Sequence, residues 1–160
     1  MPPVRIVIVD DDELTRVGVR TILETAPGIE VVGEAADADS AVDVASRLEP
    51  DVVLMDVRLP SVDGIEATRR IIDTWCGAQP PPRVLMLTTF ELDEYVYRSL
   101  KAGASGFLLK RTRAEDLIDA VHAVADGDEL PAASDTRRLV ASFTAREPSQ
   151  DGAAVGSLTD

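Results

Sequence analysis

Charged and polar side chains follow four short apolar runs of the sequence, at the point where each run ends. Asp10 and Asp11 follow the first run, Asp56 the third, Thr88 the fourth and Lys110 the fifth. If these runs are parallel strands, their carboxyl ends lie along one edge of a sheet. Three carboxylates, a hydroxyl and an ammonium group would then meet in one crevice.

This combination of groups suits the transfer of a phosphoryl group. Three carboxylates packed together repel one another, so each of them resists ionisation. Lys110 can pair with one carboxylate, and a hard divalent cation such as Mg²⁺ can be held by the others. A carboxylate beside Mg²⁺ and a lysine can attack a phosphoryl group and form an aspartyl phosphate. Thr88 can then donate a hydrogen bond to the new phosphoryl oxygens.

Each of these residues also has an ordinary explanation when it is taken alone. Either Asp11 or Asp12 can cap the helix that follows the first run. Asp56 can be a loop residue, Lys110 a solvated lysine and Thr88 an ordinary strand residue. Their joint occurrence at four strand ends favours a shared site over these separate explanations.

Five apolar runs rich in Val, Ile and Leu alternate with longer segments of helical spacing. The alternation predicts an α/β protein with a parallel sheet and helices on both faces. The second run mixes polar and apolar residues, as an edge strand does, whereas the third and fourth are apolar throughout. We therefore predict a flavodoxin-like, doubly wound (βα)5 fold with the sheet order 2-1-3-4-5. The predicted strands are residues 4–9, 29–35, 52–55, 84–87 and 106–109.

The sequence predicts one domain over residues 1–127, followed by a linker over 128–160. One more helix is predicted over 134–146, with an apolar face that comprises Leu139, Val140 and Phe143. Residues 147–160 are rich in Gly, Ser, Ala and Asp, a composition typical of a mobile tail. Within the domain, Trp75 and Cys76 are expected to close the third helix as packing residues.

Composition excludes several classes of function. The 160 residues carry 29 acidic and 16 basic side chains, so the formal net charge is −13, which opposes binding to nucleic acid or anionic membranes. A single cysteine, Cys76, excludes an internal disulfide, and a single histidine, His122, argues against a zinc site or a Ser-His-Asp triad. No apolar run reaches the roughly 18 residues of a transmembrane helix. The N-terminus lacks a signal-peptide pattern, so we expect a cytoplasmic protein without membrane contact.

The strand-end residues form part of a longer pattern that resembles the receiver domain of two-component response regulators. The resemblance covers about residues 4–127 and implies the same flavodoxin-like fold. It is carried by Ile8-Val9-Asp10-Asp11, by Leu54-Met55-Asp56-Val57-Arg58-Leu59-Pro60, by Asp63-Gly64, by Leu87-Thr88 and by Gly106-Phe107-Leu108-Leu109-Lys110.

The resemblance gives each residue of the site a role. It implies that Asp56 accepts a phosphoryl group from a phosphohistidine on a sensor histidine kinase. Asp10 and Asp11 correspond to the acidic pair that binds Mg²⁺, with Asp56 and the backbone carbonyl of Arg58 as further ligands. Lys110 corresponds to the lysine that contacts the phosphoryl group.

Two further residues correspond to the switch of this family. Thr88 matches the switch hydroxyl, and Phe107 lies where the family places an aromatic rotamer switch. The resemblance implies that phosphorylation changes a surface of the domain by moving these two side chains. The domain is then a signalling module with slow self-dephosphorylation, not an enzyme.

Finer features are similar to the NarL/FixJ-type regulators, which carry a C-terminal LuxR-type helix-turn-helix domain that binds DNA. These features lie at residues 31–35, 100–106 and 108–110. The chain itself shows no such output domain, so we expect a receiver with its linker from a longer transcription factor. DNA would be bound only through that output domain. Homodimerisation fits the resemblance, although the sequence assigns it no face.

Three alternatives compete with this interpretation. A phosphohydrolase with an Asp nucleophile needs a general acid two residues further on, where this chain has Arg58. A flavin carrier needs a phosphate-binding loop rich in Ser, Thr and Gly after the first strand, where this chain is acidic. A receiver-like module that switches without phosphate would lack one of the key residues, and the sequence contains all of them.

Overall fold

Five parallel strands form one sheet, and a helix follows each of them along the chain. The computed structural model describes residues 2–89 and 93–127, and only the backbone of residues 93–96. The strands are β1 (Val4–Val9), β2 (Ile29–Ala35), β3 (Val52–Asp56), β4 (Arg83–Thr88) and β5 (Gly106–Leu109). The helices are α1 (Glu13–Glu24), α2 (Ala38–Leu48), α3 (Gly64–Asp73), α4 (Asp93–Lys101) and α5 (Ala114–Ala125). The helix predicted over 134–146 and the tail lie outside the described residues.

The strand order is β2-β1-β3-β4-β5, which confirms the predicted flavodoxin-like fold. β2 lies at an edge, as its mixed polarity indicates, and every residue of β3 is buried. β3 and β4 extend one residue beyond the predicted ends, because Asp56 pairs with Leu87 and Thr88 pairs with Leu109 in the sheet. The polar residues that end these strands are therefore held by the sheet itself.

Apolar side chains bury both faces of the sheet. On one face, α2, α3 and the end of α4 pack against Val7, Val53 and Met86. On the other face, α1 and α5 pack against Ile8 and Leu54. This alternation of neighbouring strand residues between the two cores follows from the pleat of the strands. It leaves only the strand ends and the loops for polar chemistry.

Side-chain caps fix where the helices begin, and this settles part of the acidic run. Asp12 is the N-cap of α1: its Oδ1 accepts a hydrogen bond from the Leu14 N–H at 3.1 Å and its Oδ2 one from the Thr15 hydroxyl at 2.8 Å. Of the two candidates for this cap, Asp12 is thus the one that serves. Asp11 remains exposed beside the crevice.

The end of α3 corrects one expectation. The helix ends at Asp73, so the prediction that Trp75 and Cys76 close it was wrong, and Cys76 is exposed where a packing residue was expected. Trp75 does pack against the core, and its indole Nε1–H donates to the carbonyl of Gln79 at 2.8 Å. Across the described ranges, every helix falls short of the length and apolarity needed to cross a bilayer.

Candidate functional site

Three carboxylates meet at the carboxyl edge of the sheet, where β1 and β3 are neighbours. Asp10 follows β1 and is 3% exposed, Asp56 ends β3 and is 5% exposed, and Asp11 is exposed. One oxygen of each carboxylate lies within 4.8 Å of the others. The structure thus brings together the three acids that the sequence predicts as a group, at the switch in strand order between β1 and β3.

Lys110, directly after β5, lies between two of these carboxylates. Its Nζ is 2.6 Å from Asp10 Oδ2 and 3.3 Å from Asp56 Oδ2. Its backbone N–H donates to the carbonyl of Thr88 at 2.7 Å, so β4 fixes the point from which the side chain extends. One ammonium group therefore compensates part of the charge of two buried acids.

The other carboxylate oxygen of Asp10 is held by the backbone. Its Oδ1 accepts a hydrogen bond from the Asp12 N–H at 2.9 Å, and the Asp10 N–H donates to the carbonyl of Ala35 at 3.0 Å. Hydrogen bonds from Thr15 and from the Leu14 N–H lower the pKa of Asp12, which keeps this cap ionised. Because Oδ2 of Asp10 contacts Lys110, both carboxylate oxygens of Asp10 accept hydrogen bonds from the protein.

The loop from β3 to α3 folds closely against Asp56. The Arg58 N–H donates to Asp56 Oδ1 at 3.3 Å, and the Gly64 N–H donates to the carbonyl of Val57 at 2.7 Å. A Cβ atom on Gly64 would lie 1.9 Å from the carbonyl oxygen of Asp56, so the helix begins where only glycine fits. Ser61 has a positive φ of 66°, which turns the chain within this short loop.

A crevice of about 420 Å³ opens in front of Asp56. Arg58 and Lys110 line it, as the sequence predicts. Leu59, Pro60 and Thr89 also line it and were not among the predicted site residues, although Leu59 directly follows Arg58 and Thr89 directly follows Thr88. The lining residues are Asp11, Asp56, Arg58, Leu59, Pro60, Thr89 and Lys110.

The two predicted switch residues are buried next to this edge of the sheet. Thr88 is 1% exposed at the end of β4, and Phe107 is 3% exposed in β5. Thr88 pairs with Leu109 in the sheet, directly before Lys110, and Phe107 pairs with Met86. Their positions link the crevice to the β4–β5 side of the sheet.

The charges and burial of the crevice oppose the ionised form of Asp56 but favour the charged form of Lys110. Burial and then the charge of Asp10 raise the pKa of Asp56, and Lys110 only partly offsets them. For Lys110, burial lowers the pKa, but the hydrogen bond and charges of Asp10 and Asp56 outweigh it and raise the pKa. The site therefore holds a firmly charged lysine and one carboxylate whose ionised form is disfavoured.

Comparison with known proteins agrees with this geometry. A family model of the response regulator receiver domain matches residues 6–122. The chain belongs to the response regulator receiver family. The matched segment runs from β1 into α5, so it includes the acidic pair, Asp56, Thr88 and Lys110.

Curated relatives of this receiver are transcriptional regulatory proteins. It is 41% identical over 125 residues to the transcriptional regulatory protein LiaR of Bacillus subtilis, covering 78% of this chain and 57% of LiaR. It is 39% identical over 155 residues to the transcriptional regulatory protein DegU of Brevibacillus brevis, covering 96% of this chain and 64% of DegU. The receiver chain thus spans about three fifths of the length of these curated relatives.

A solved structure supports the same assignment. The crystal structure of a LuxR-family two-component response regulator from Aurantimonas sp. SI85-9A1 matches this receiver with a TM-score of 0.79 and 36% identity. The match covers 89% of this chain and 99% of that chain. The LuxR-family name of this neighbour agrees with the resemblance to NarL/FixJ-type regulators.

The donor set of this receiver fits a hard divalent cation. Asp10, Asp11 and Asp56 offer oxygen ligands only, and their oxygens lie close enough together for one ion to contact all three. Such a small set of carboxylates, completed by waters and a backbone carbonyl, suits Mg²⁺. The raised pKa of Asp56 gives a second reason, because an added positive charge favours the ionised carboxylate.

The raised pKa of Asp56 predicts how the stability of the metal-free receiver depends on pH. A carboxyl whose pKa is higher in the folded state binds its proton more tightly there than in the unfolded chain. The Asp56 carboxyl therefore stabilises the folded receiver at low pH, and this stabilisation is lost as the pH rises through the raised pKa. The Asp56→Asn variant has no carboxyl to ionise at this position. Its free energy of unfolding should therefore rise relative to that of the wild type as the pH increases.

Urea unfolding with a chelator, at about pH 4 and about pH 7, measures this difference. We expect the variant's advantage in free energy of unfolding to be larger at the higher pH. Lys110 is protonated at both values, because its pKa is raised. An advantage equal at the two pH values would contradict the assignment of an unfavourable charge to Asp56.

Proposed function

We propose that Asp56 is the phosphoacceptor of a two-component phosphorelay and takes its phosphoryl group from a sensor histidine kinase. The observation that carries this proposal is the contact of the Lys110 ammonium with both Asp10 and Asp56, at 2.6 and 3.3 Å, in an open crevice. A buried carboxylate with an adjacent cation and space in front of it is arranged for attack on phosphorus.

The transfer itself needs little from the protein beyond positioning and charge. An oxygen of Asp56 forms a bond to phosphorus, and the bond between phosphorus and the donor's imidazole nitrogen breaks. The electron pair of that bond stays with the imidazole. Lys110 then exchanges its contact with the Asp56 carboxylate for one with the transferred phosphoryl oxygens.

The cation site is part of this proposal. Asp10, Asp11, Asp56 and the backbone carbonyl of Arg58 would hold Mg²⁺. When bound, Mg²⁺ supplies positive charge that offsets the negative charge of the carboxylates and of the phosphoryl oxygens. Asp10 has both carboxylate oxygens oriented by protein groups, so its ligand geometry is set in advance.

Phosphorylation is proposed to act as a switch. The phosphoryl group carries a charge of about −1.5 to −2 next to Lys110 and close to the end of β4, where it replaces the single negative charge of the Asp56 carboxylate. Thr88 is drawn towards the phosphoryl oxygens, and Phe107 fills the space that Thr88 leaves. The surface of α4, β5 and α5 then changes between two states that differ by only a few kcal/mol.

The output of this switch is proposed from the relatives. LiaR and DegU are transcriptional regulatory proteins. We propose that residues 1–127 form the receiver, that 128–160 form a linker, and that an output domain beyond this chain binds DNA. The receiver acts in the cytoplasm as a signalling domain, with a homodimer as one state and only slow self-dephosphorylation. A phosphohydrolase is less well supported, because Arg58 lines the crevice where that mechanism needs a general acid.

Phosphoryl uptake by the wild-type chain tests the proposed function. Incubation with a small-molecule phosphodonor and Mg²⁺ should add a single group of about 80 Da, measured by intact mass. Chelation of Mg²⁺ should prevent the gain, and peptide mapping should place the group on Asp56. A protein that gains no mass with Mg²⁺ present, and binds no phosphoryl mimic, would instead be an interaction module independent of phosphate.

A further inference from the structure

The side chain of Arg16 joins the edge strand of the sheet to the loop that carries the acidic pair. Its Nη1 donates to the backbone carbonyl of Asp10 at 2.5 Å, and its Nε donates to Glu34 Oε1 at 2.9 Å. Arg16 and Glu34 have side chains that are 16% and 26% exposed, respectively. Arg20, one turn further along α1, pairs with the other carboxylate oxygen of Glu34 and with Glu24, and not with Asp10.

With the contact from Arg16, both backbone polar groups of Asp10 are hydrogen-bonded. The Asp10 N–H donates to Ala35 in β2, and its carbonyl accepts from Arg16, whose guanidinium is oriented by Glu34. Glu34 is itself in register with Ile8, two residues before Asp10. A planar guanidinium can make both bonds at once in a fixed geometry, whereas a lysine can reach only one partner well.

We propose that Arg16 is a positioning residue for the cation site, acting through the backbone of Asp10. The proposal rests on the proposed function, in which Asp10 and Asp11 hold Mg²⁺. Arg16 touches neither the cation nor the phosphoryl group. It holds the turn after β1 so that the two carboxylates face Asp56 before the cation arrives.

A role of Arg16 through its charge and a role through positioning predict opposite changes in Mg²⁺ affinity when Arg16 is replaced. Removal of a positive charge near three carboxylates strengthens their attraction for a cation, so a role through charge alone predicts tighter Mg²⁺ binding. Loss of position weakens binding, because the ligands must then be ordered by the cation itself. Partners that orient metal ligands typically contribute about 10-fold or more to affinity, which outweighs the screened field of an arginine already paired with Glu34.

Calorimetric titration of the metal-free protein with Mg²⁺ separates these alternatives. We expect Arg16→Gln to weaken Mg²⁺ binding about 10-fold. Arg16→Lys keeps the charge but cannot bridge Asp10 and Glu34, and it should also weaken binding, by a smaller factor. Arg20→Gln is the matched control, because it removes an equal charge and a bond to Glu34 while leaving the Asp10 contact in place, and it should bind like the wild type.

Amide hydrogen exchange in the absence of Mg²⁺ gives a readout that does not depend on the cation. The Asp12 N–H, which donates to Asp10 Oδ1, should exchange faster in Arg16→Gln than in Arg20→Gln, at equal global stability by urea unfolding. Unchanged or tighter Mg²⁺ binding by Arg16→Gln would overturn the proposal, as would a wild type that binds no Mg²⁺. A wild type that binds Mg²⁺ but gains no phosphoryl group would contradict the proposed function, while weaker binding by Arg16→Gln would still support the positioning role.

Discussion

Replacement of Asp56 by asparagine is expected to abolish phosphoryl uptake from a small-molecule donor. The amide keeps the size of the side chain and can still accept the hydrogen bond from the Arg58 N–H. It lacks the carboxylate that attacks phosphorus, so the initial rate should fall by at least about 100-fold, to the limit of detection. Intact mass over time, with Mg²⁺ and donor in excess, measures this rate.

Asp63→Asn provides a matched control in the same loop. Asp63 caps α3 by accepting a hydrogen bond from the Glu66 N–H at 2.9 Å, and asparagine caps helices equally well. This variant should therefore take up the phosphoryl group like the wild type. Uptake by Asp56→Asn at a rate similar to that of Asp63→Asn would show that another residue is the acceptor, and the proposed site would then be wrong.

Replacement of Gly64 by alanine is expected to cause a large loss in the free energy of unfolding. The added Cβ would lie 1.9 Å from the carbonyl oxygen of Asp56 and 2.9 Å from Met55 Cγ. The nearer atom belongs to the backbone of a fully buried strand, so relief requires α3 or the end of β3 to move. Overpacking of this kind typically costs 1–3 kcal/mol, and contact with a rigid backbone places this variant at about 3 kcal/mol.

Gly18→Ala is the matched control for that prediction. A Cβ atom at Gly18 would meet no atom within 4 Å, and the residue lies within α1. Alanine favours a helix by about 1 kcal/mol over glycine, so this variant should be slightly more stable than the wild type. Urea unfolding of both variants measures the difference, and a Gly64→Ala protein as stable as the wild type would contradict the close packing of the loop against Asp56.

The sequence predicts this site well because its residues sit at strand ends. In a parallel sheet, the topology alone brings Asp10, Asp56, Thr88 and Lys110 to one edge, whatever the details of the loops. The alternation of apolar runs with helical segments is enough to predict that topology. The alternation assigns no roles to these residues; the roles follow from the chemistry of the grouped side chains and from the resemblance to receiver domains.

Other features depend on the register and on the path of the chain, which the sequence does not show. Arg16 and Glu34 are 18 residues apart and look like ordinary surface charges until the pairing of β1 with β2 is known. The need for glycine at position 64 follows from its distance to the carbonyl of Asp56. Helical spacing predicts that Cys76 closes α3 as a packing residue, but the helix ends at Asp73 and Cys76 is exposed.

The contact between Lys110 and Asp10 joins residues that are 100 positions apart, and this has a consequence for folding. Synthesis on the ribosome places Asp10, Asp11 and Asp56 in the chain well before their lysine, which follows the last strand of the sheet. Contacts of such high sequence separation are slow to form, because a long loop must close first. In an incomplete nascent domain, the Lys110 ammonium group is therefore not yet available to offset the negative charges of Asp10 and Asp56. Competence for signalling arises only once the whole sheet has assembled.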